Sequence, residues 1–509
     1  MLDRQRRRHA RSARWVRNAA VALAAVTLVC GCAVGPNFRR PAAPTVDSYT
    51  RPSLSSTTAS VDAAAGNAQR LVHGQDLPHE WWTLFQSPAL NTLVERTLRA
   101  SPTLVAAQQS LRQAMALVAA QRGLYYPSVQ GSFSPSYQKT SATLAPPLNS
   151  DQLRYTLYTA QVTVGFTPDV FGGNRRQVEA LLGQAEAQGF QLHAAYATLT
   201  SNVVAAAVQE ASLRAQISAT REIIAISTRS VELVRRQFEL GAVAGLEVAA
   251  QETALAQVEQ TLPPLRRQLE QNRNLLTVLA GRLPSDDLEE TFELASLQLP
   301  TDLPVGLPSR LVDQRPDVRA AEAQLHATSA QIGVAVANQL PQFTITGAYG
   351  GSSTSIASMF ANGNPFWTIA GNVAQSIFDF GTLLYRRRAA EAAFEQAAAQ
   401  YRSTVLTAFQ NVADALYALQ ADAESLKATV AAEGAAKRTL DITLKQQQFG
   451  AVNYLALLSA QQAYQQTLIA RVQAQANRFS DTAALFQALG GGWWSRPGMA
   501  QTTDGAAAR

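Results

Sequence analysis

Cysteine is almost missing from this chain: there are two, Cys30 and Cys32, both near the start. A disulfide framework or a thiolate metal site further along is therefore excluded. Charge is also scarce, with 16% Asp, Glu, Lys and Arg against 47% hydrophobic residues. The formal charge of +6 is gathered at the beginning, where Arg4, Arg6, Arg7, Arg8, Arg11, Arg14 and Arg17 face one acid, Asp3. Without that segment the chain is near neutral, and nucleic-acid binding loses its main support. Histidine is rare: His9, His73, His79, His193 and His326 are scattered without metal-ligand spacing. No metal site, cofactor site or catalytic set is expected, so the chain is not read as an enzyme. His193 and His326 read as packing or helix-surface residues.

Proline is absent from Asn174 to Glu239, and the only glycines there are Gly183 and Gly189. One helix over that stretch would extend roughly 100 Å at ~1.5 Å per residue. Leu192, Tyr196, Leu199, Val203 and Ala206 step by four and three, as do Ile224, Ser227, Val231, Val234 and Phe238. A seam of that period asks for neighbouring helices packed as a coiled coil.

The pattern is written twice. Phe171, Gly172, Gly241, Ala242, Val243 and Leu246 recur as Phe380, Gly381, Gly450, Ala451, Val452 and Leu455 at an offset of 209. Pro102, Ala106, Ala107, Leu111 and Pro127 recur as Pro316, Ala320, Ala321, Leu325 and Pro341 at an offset of 214. This is a tandem duplication of a long unit.

Residues 1–31 read as an export signal. The apolar run Ala19–Val29 falls short of the ~20 residues that a spanning helix needs. Gly31 before Cys32 resembles a bacterial lipobox, whereas Cys30 follows the bulky Val29. Cys32 is therefore the expected lipidation site, and an ordinary signal with incidental cysteines is the plainer alternative. Ala33 after it favours outer-membrane sorting, by resemblance to lipoproteins.

Residues 32–80 read as an extended strap. The first repeat covers 81–290, with strands near 129–137 and 155–166, a long helix over 169–240 and a return helix over 246–280. That return helix should be interrupted at Pro263 and Pro264, resuming at Leu265. Residues 291–308 form a joint. The second repeat covers 309–490, with strands near 343–351 and 366–377, a long helix over 379–449 and a return helix over 454–489. Residues 491–509 are a tail. In the strands, polar Gln130, Ser132, Ser134 and Ser136 alternate with Val129, Phe133 and Tyr137, and the other three behave alike. Strands of that length, apolar on one face, suit a membrane barrel, although a half-buried soluble sheet has the same pattern. Four strands cannot close a barrel. Three chains would supply twelve, with the helices continuing as a tube. Arg175, Arg176 and Arg386, Arg387, Arg388 start the long helices, either as a solvated face or as a basic collar at the periplasmic lipid surface.

Several motifs resemble the TolC-like outer-membrane efflux channels, especially the lipidated OprM/NodT branch. They are Gly31-Cys32-Ala33-Val34-Gly35-Pro36-Asn37-Phe38, the run Trp81-Trp82-Thr83-Leu84-Phe85-Gln86-Ser87-Pro88, and the stretch Leu307 to Leu325. The resemblance implies a homotrimer with a twelve-stranded β-barrel in outer-membrane lipid, continuing into a periplasmic α-helical barrel. It implies docking with a periplasmic membrane-fusion adaptor and an inner-membrane pump of the RND type. The tips Gly241, Ala242, Val243 and Gly450, Ala451, Val452 are the expected adaptor contacts. Leu455 and Ser459 are the expected periplasmic gate, with Ser459 where many relatives carry Asp. The resulting expectation is an exit duct for drugs or small toxic solutes. A duct for exported polypeptides, or a coiled-coil lipoprotein without a pore, are the alternatives.

Overall fold

Serine–proline pairs and aspartates decide where the helices begin. The computed structural model describes residues 33–51, 54–139, 154–361, 363–449 and 451–495. Its elements are β1 (Arg70–His73), α1 (Pro88–Ala100), α2 (Pro102–Gly123), β2 (Ser128–Lys139) and β3 (Arg154–Phe166). Then come α3 (Gly173–Glu239), α4 (Gly245–Glu259), α5 (Leu262–Leu279), β4 (Asp302–Val305) and α6 (Pro308–Gln314). The chain ends with α7 (Pro316–Ala337), β5 (Gln342–Ser353), β6 (Pro365–Ala374), α8 (Thr382–Gln448) and α9 (Tyr454–Ala488). Both α3 and α8 have 67 residues.

One unit comprises the described residues up to Arg40 with Leu111–Ala187 and Ala321–Tyr401. Its antiparallel sheet has the order β2-β3-β5-β6. The helical segments of this unit follow the same order. Gln121 of α2 donates to Asn174 Oδ1 of α3 at 2.7 Å. Gly173 of α3 faces Ala337 of α7 so closely that a Cβ there would lie 3.0 Å from the alanine methyl. Gly183 permits the same approach, since its Cβ would lie 3.0 Å from the Ala323 carbonyl. Gln339, just past α7, donates to the Leu383 carbonyl of α8 at 3.3 Å.

The second unit holds Pro41–Ser110, Gln188–Ala320 and the described residues from Arg402 onward. A 3-10 turn, Trp81–Phe85, drives Trp81, Trp82 and Phe85 into its core. Trp81 meets Phe486 of α9 at 5.5 Å between ring centres, and Phe85 meets Phe479 at 6.3 Å. Arg478 is also buried, yet its guanidinium is occupied by the Ala65 carbonyl at 2.6 Å and Gln69 Oε1 at 3.0 Å. Those two bonds pin the strap to α9, while burial still holds the guanidinium's pKa below its ordinary value.

The strap and the joint each contribute one strand, β1 and β4, which pair in parallel from Arg70↔Asp302 to His73↔Val305. Two boundaries differ from those expected from the sequence. The return helix breaks before its prolines, between α4 and α5, with Thr261 N–H bonding the Val258 carbonyl at 3.0 Å. Proline lacks an N–H and fits the first turn of a new helix, so the ladder ends upstream of the pair instead of at it. The long helices start at Gly173 and Thr382, because Asp169 and Asp379 stand outside them as caps.

Gly490, Gly491 and Gly492 all take positive φ at the end of α9. A Cβ on Gly492, at φ +70°, would lie 2.3 Å from the Pro78 carbonyl oxygen. Gly492→Ala is therefore expected to destabilise the fold by about 2–4 kcal/mol, combining backbone strain with a backbone clash. Thermal melting should fall by several degrees; an unchanged midpoint would contradict the close approach.

Candidate functional site

Directly paired residues of antiparallel strands stand on the same face, so register decides what the sheet presents. Val129, Phe133 and Pro135 pair with Val164, Ala160 and Tyr158. Val162 and Phe166 pair with Tyr349 and Ile345, and Tyr349 and Phe343 pair with Trp367 and Val373. One face is thereby apolar across all four strands. The other carries Ser132 opposite Gln161 and Thr344 opposite Asn372. Among the described residues nothing covers the apolar face: Phe133 is 54% exposed, Trp367 73% and Ile369 76%. Such a face needs lipid or an apolar partner. Among the described residues no helix is long and apolar enough to cross a membrane.

At the helical end of the sheet, two aspartates turn strand into helix. Asp169 Oδ1 accepts from Asn174 N–H at 2.9 Å, and its Oδ2 accepts from Arg175 N–H at 2.8 Å. Asp379 does the same for Gly381 at 3.0 Å and Leu383 at 2.8 Å. A carboxylate at a helix N-terminus satisfies orphan donors and meets the positive end of the dipole. The signal was present in the sequence, as Asp just before each Phe-Gly pair.

The basic pairs divide. Arg175, Arg386, Arg387 and Arg388 are exposed, but Arg176 is buried. Its guanidinium reaches the Val34 carbonyl at 3.0 Å, Asn37 Oδ1 at 2.7 Å and Glu179 at 2.8 Å. Arg176 is thus a clamp on the segment that follows Cys32. Burial disfavours the Glu179 carboxylate, yet hydrogen bonds from Arg176 and His326 hold its pKa below the ordinary value. His326 also stacks on Phe38, and His193 stacks on Trp493. Among the described residues no three His, Cys, Asp or Glu side chains are grouped to hold a metal.

The two helix ends far along the chain close alike. Ala242 N–H bonds the Gln237 carbonyl at 2.8 Å, and Ala451 N–H bonds the Gln446 carbonyl at 2.9 Å. Gly241 takes φ +73°, which lets α3 end in a Schellman turn. Apolar side chains flank both turns in the open: Leu240 is 78% exposed, Leu246 77%, Phe449 86% and Leu455 69%. Val243 and Val452 are half-buried. Gly450 and Cys32 lie outside the described residues.

Leu455 and Ser459 share one exposed face of α9, while Leu457, Ala460 and Tyr464 on the opposite face are buried. Behind that buried face runs a polar layer. Gln251 of α4 donates to Gln461 Oε1 at 3.0 Å, and Gln461 donates to Ser230 of α3 at 2.9 Å. Tyr464 donates to Glu222 at 3.1 Å. Burial and the Glu222 carboxylate push its phenol up to about 12. Further along, burial and then the adjacent Asp481 push Asp422 up to about 7, against the pull of Arg478. No local pattern in the sequence marks this polar layer, because its members are far apart in the chain.

A sheet apolar on one face, continuing into long paired helices with exposed hairpin ends, is the fold of the TolC-like outer-membrane channels. The chain belongs to the outer membrane efflux protein family, which matches residues 93–282 and 307–491. It is 28% identical over 465 residues to outer membrane protein OprJ of Pseudomonas aeruginosa, covering 91% of this chain and 93% of that one. It is 27% identical over 471 residues to the toluene efflux pump outer membrane protein TtgC of Pseudomonas putida, covering 92% and 94%. The solved outer-membrane channel OprN superposes with a TM-score of 0.80 at 26% identity, covering 91% of this chain and all of that one.

Proposed function

We propose that three copies of this chain close a twelve-stranded outer-membrane barrel and a periplasmic helical tube, forming the passive exit duct of a tripartite efflux system. What carries this reading is that the sheet and the helical layer are open on the same two edges. The outer strands β2 and β6 each have one partner, and they join α2 and α8. Inside the chain, Gly173 of α3 packs on Ala337 of α7. Moving those positions by the repeat offsets of 209 and 214 gives Thr382 on α8 and Gly123 on α2. Within one chain Thr382 is exposed, and a Cβ on Gly123 would meet nothing within 4 Å. A neighbouring copy supplies the missing contact, and a head-to-tail contact of this kind forms a ring where the rotation between copies closes.

The cargo is drugs or other small toxic solutes, a reading supported by the relative named for toluene efflux. An inner-membrane pump of the RND type supplies the energy, through a periplasmic adaptor docked at Gly241–Val243 and Gly450–Val452. Lipidation at Cys32 adds an anchor. The bond from Val34 N–H to the Phe171 carbonyl, 3.1 Å, supports that placement, since it holds the residues after Cys32 beside the helical end of the sheet. Leu455 and Ser459 face the lumen as rings of three, the leucines closing by excluding water.

Planar-bilayer recording tests both the duct and its constriction. Discrete conductance steps are expected from purified trimers. Wild type should show little block by divalent cations, because Ser459 brings no charge. Ser459→Asp should create a block at about millimolar concentration, the range of weak carboxylate sites. Trimers that never conduct would refute the duct. A conducting variant without block would remove Ser459 from the lumen.

A further inference from the structure

The helical end of the sheet gathers more cations than acids: Arg122, Arg175, Arg386 and Arg388 stand there with Asp169 and Asp379. Arg122 closes α2, Arg175 opens α3, and Arg386 and Arg388 lie in the first two turns of α8; all four are exposed within one copy, Arg122 and Arg386 beside the edges where a neighbouring copy would pack. The acids at this level are already committed. Asp169 and Asp379 cap helix N-termini, and Glu391 is held by Arg387 at 2.8 Å. Asp169 meets Arg175 through its backbone N–H, and among the described residues none of the four guanidinium groups forms an ion pair within one copy.

Aromatic rings stand among them in the open. Tyr126 is 73% exposed, Phe378 77%, Phe380 88% and Tyr385 63%. Phe380 takes φ 53°, a conformation that favours glycine, and the turn it makes presents its ring to solvent. Its ring lies 4.5 Å from that of Phe378, centre to centre. Arg388 sits 5.4 Å over the Tyr385 ring, a cation–π contact that holds the guanidinium beside an apolar surface.

Directly beyond these residues begins the uncovered apolar face, with Phe343 and Val373 paired at its near end. Bulk water accounts for cations alone, and an apolar partner accounts for rings alone. A phospholipid accounts for both, with phosphate on the arginines and acyl chain on the sheet.

We propose that Arg122, Arg175, Arg386 and Arg388, with the rings of Phe380 and Tyr385, form a collar that binds anionic phospholipid of the membrane leaflet nearest the helices. Guanidinium matches phosphate in a bidentate fork, and its stem lies along apolar surface while the head stays at the interface. Aromatic side chains favour the same level, and clustered basic residues draw anionic headgroups. This inference rests on the reading of the sheet as membrane-spanning.

The test uses the full-length protein and a variant with Arg122→Gln, Arg175→Gln, Arg386→Gln and Arg388→Gln together. Each is mixed with phosphatidylglycerol, phosphatidylcholine or lipopolysaccharide in detergent, and retained lipid is measured after gel filtration. Flotation with vesicles is scored in parallel. Wild type should retain phosphatidylglycerol at least fivefold over phosphatidylcholine, and 1 M salt should remove most of that preference. The variant should lose the preference at low salt while still floating with vesicles. Equal phosphatidylglycerol retention by a floating variant overturns the collar and leaves the barrel standing. Preferential retention of lipopolysaccharide by wild type overturns the leaflet assignment. Failure of wild type itself to float overturns the barrel reading, and the collar with it.

Discussion

Asp placed at both Val243 and Val452 is expected to abolish efflux-dependent resistance while the amount of assembled protein stays unchanged. The two hairpin turns are built on backbone hydrogen bonds, Ala242 to Gln237 and Ala451 to Gln446, which the substitutions do not touch. The folded tip therefore persists, and only its surface changes. That surface is apolar, with Leu240 and Leu246 at one turn and Phe449 and Leu455 at the other, all more than half exposed. Hydrophobic side chains left in water at a matched pair of turns suit a docked helical partner. A carboxylate brought into such a contact without a counter-charge costs about 3 kcal/mol, on the order of a hundredfold in affinity. Both tips of every copy would be affected. Drug susceptibility and trimer abundance, compared side by side, check this. Wild-type resistance at wild-type abundance would take the tips out of the docking surface.

Features set by period and repetition were legible in the sequence. Alternation with period two places Val129, Phe133, Val162 and Tyr349 on one face whatever else the chain does, provided that the strands pair in register. The absence of proline between Asn174 and Glu239 left a long helix as the simplest outcome, and Gly241 marked its end. Features that depend on distant partners were not legible. The β1–β4 pair joins two four-residue segments separated by the whole of the first repeat, and β4 contains Pro304, which argues against a strand. Arg176 and Arg175 are adjacent and chemically identical, yet only Arg176 points at the Val34 carbonyl. No local pattern separates them. Proline can stop a helix or start one, and in the return helix Pro263 and Pro264 belong to the first turn of α5. Leu455 and Ser459 follow from the family resemblance and from their one-turn spacing; the structure exposes both on the face away from Leu457 and Tyr464.

The second large effect concerns the closing of the ring. If a neighbouring copy repeats on Thr382 and Gly123 the packing that Gly173 and Ala337 make within the chain, cysteines at those two positions must meet between copies. The internal pair is close enough for this chemistry, since a Cβ on Gly173 would lie 3.0 Å from that of Ala337. Gly123 has open space for the added side chain. The background is favourable, because the only native cysteines are Cys30 and Cys32. Oxidised membranes carrying Gly123→Cys with Thr382→Cys should yield a disulfide-linked species of three chains on a non-reducing denaturing gel. Reductant should return it to monomer, and either single variant should remain monomeric. Monomers whose thiols stay open to alkylation, dimers that go no further, or a ladder running past three would contradict a closed ring of three copies.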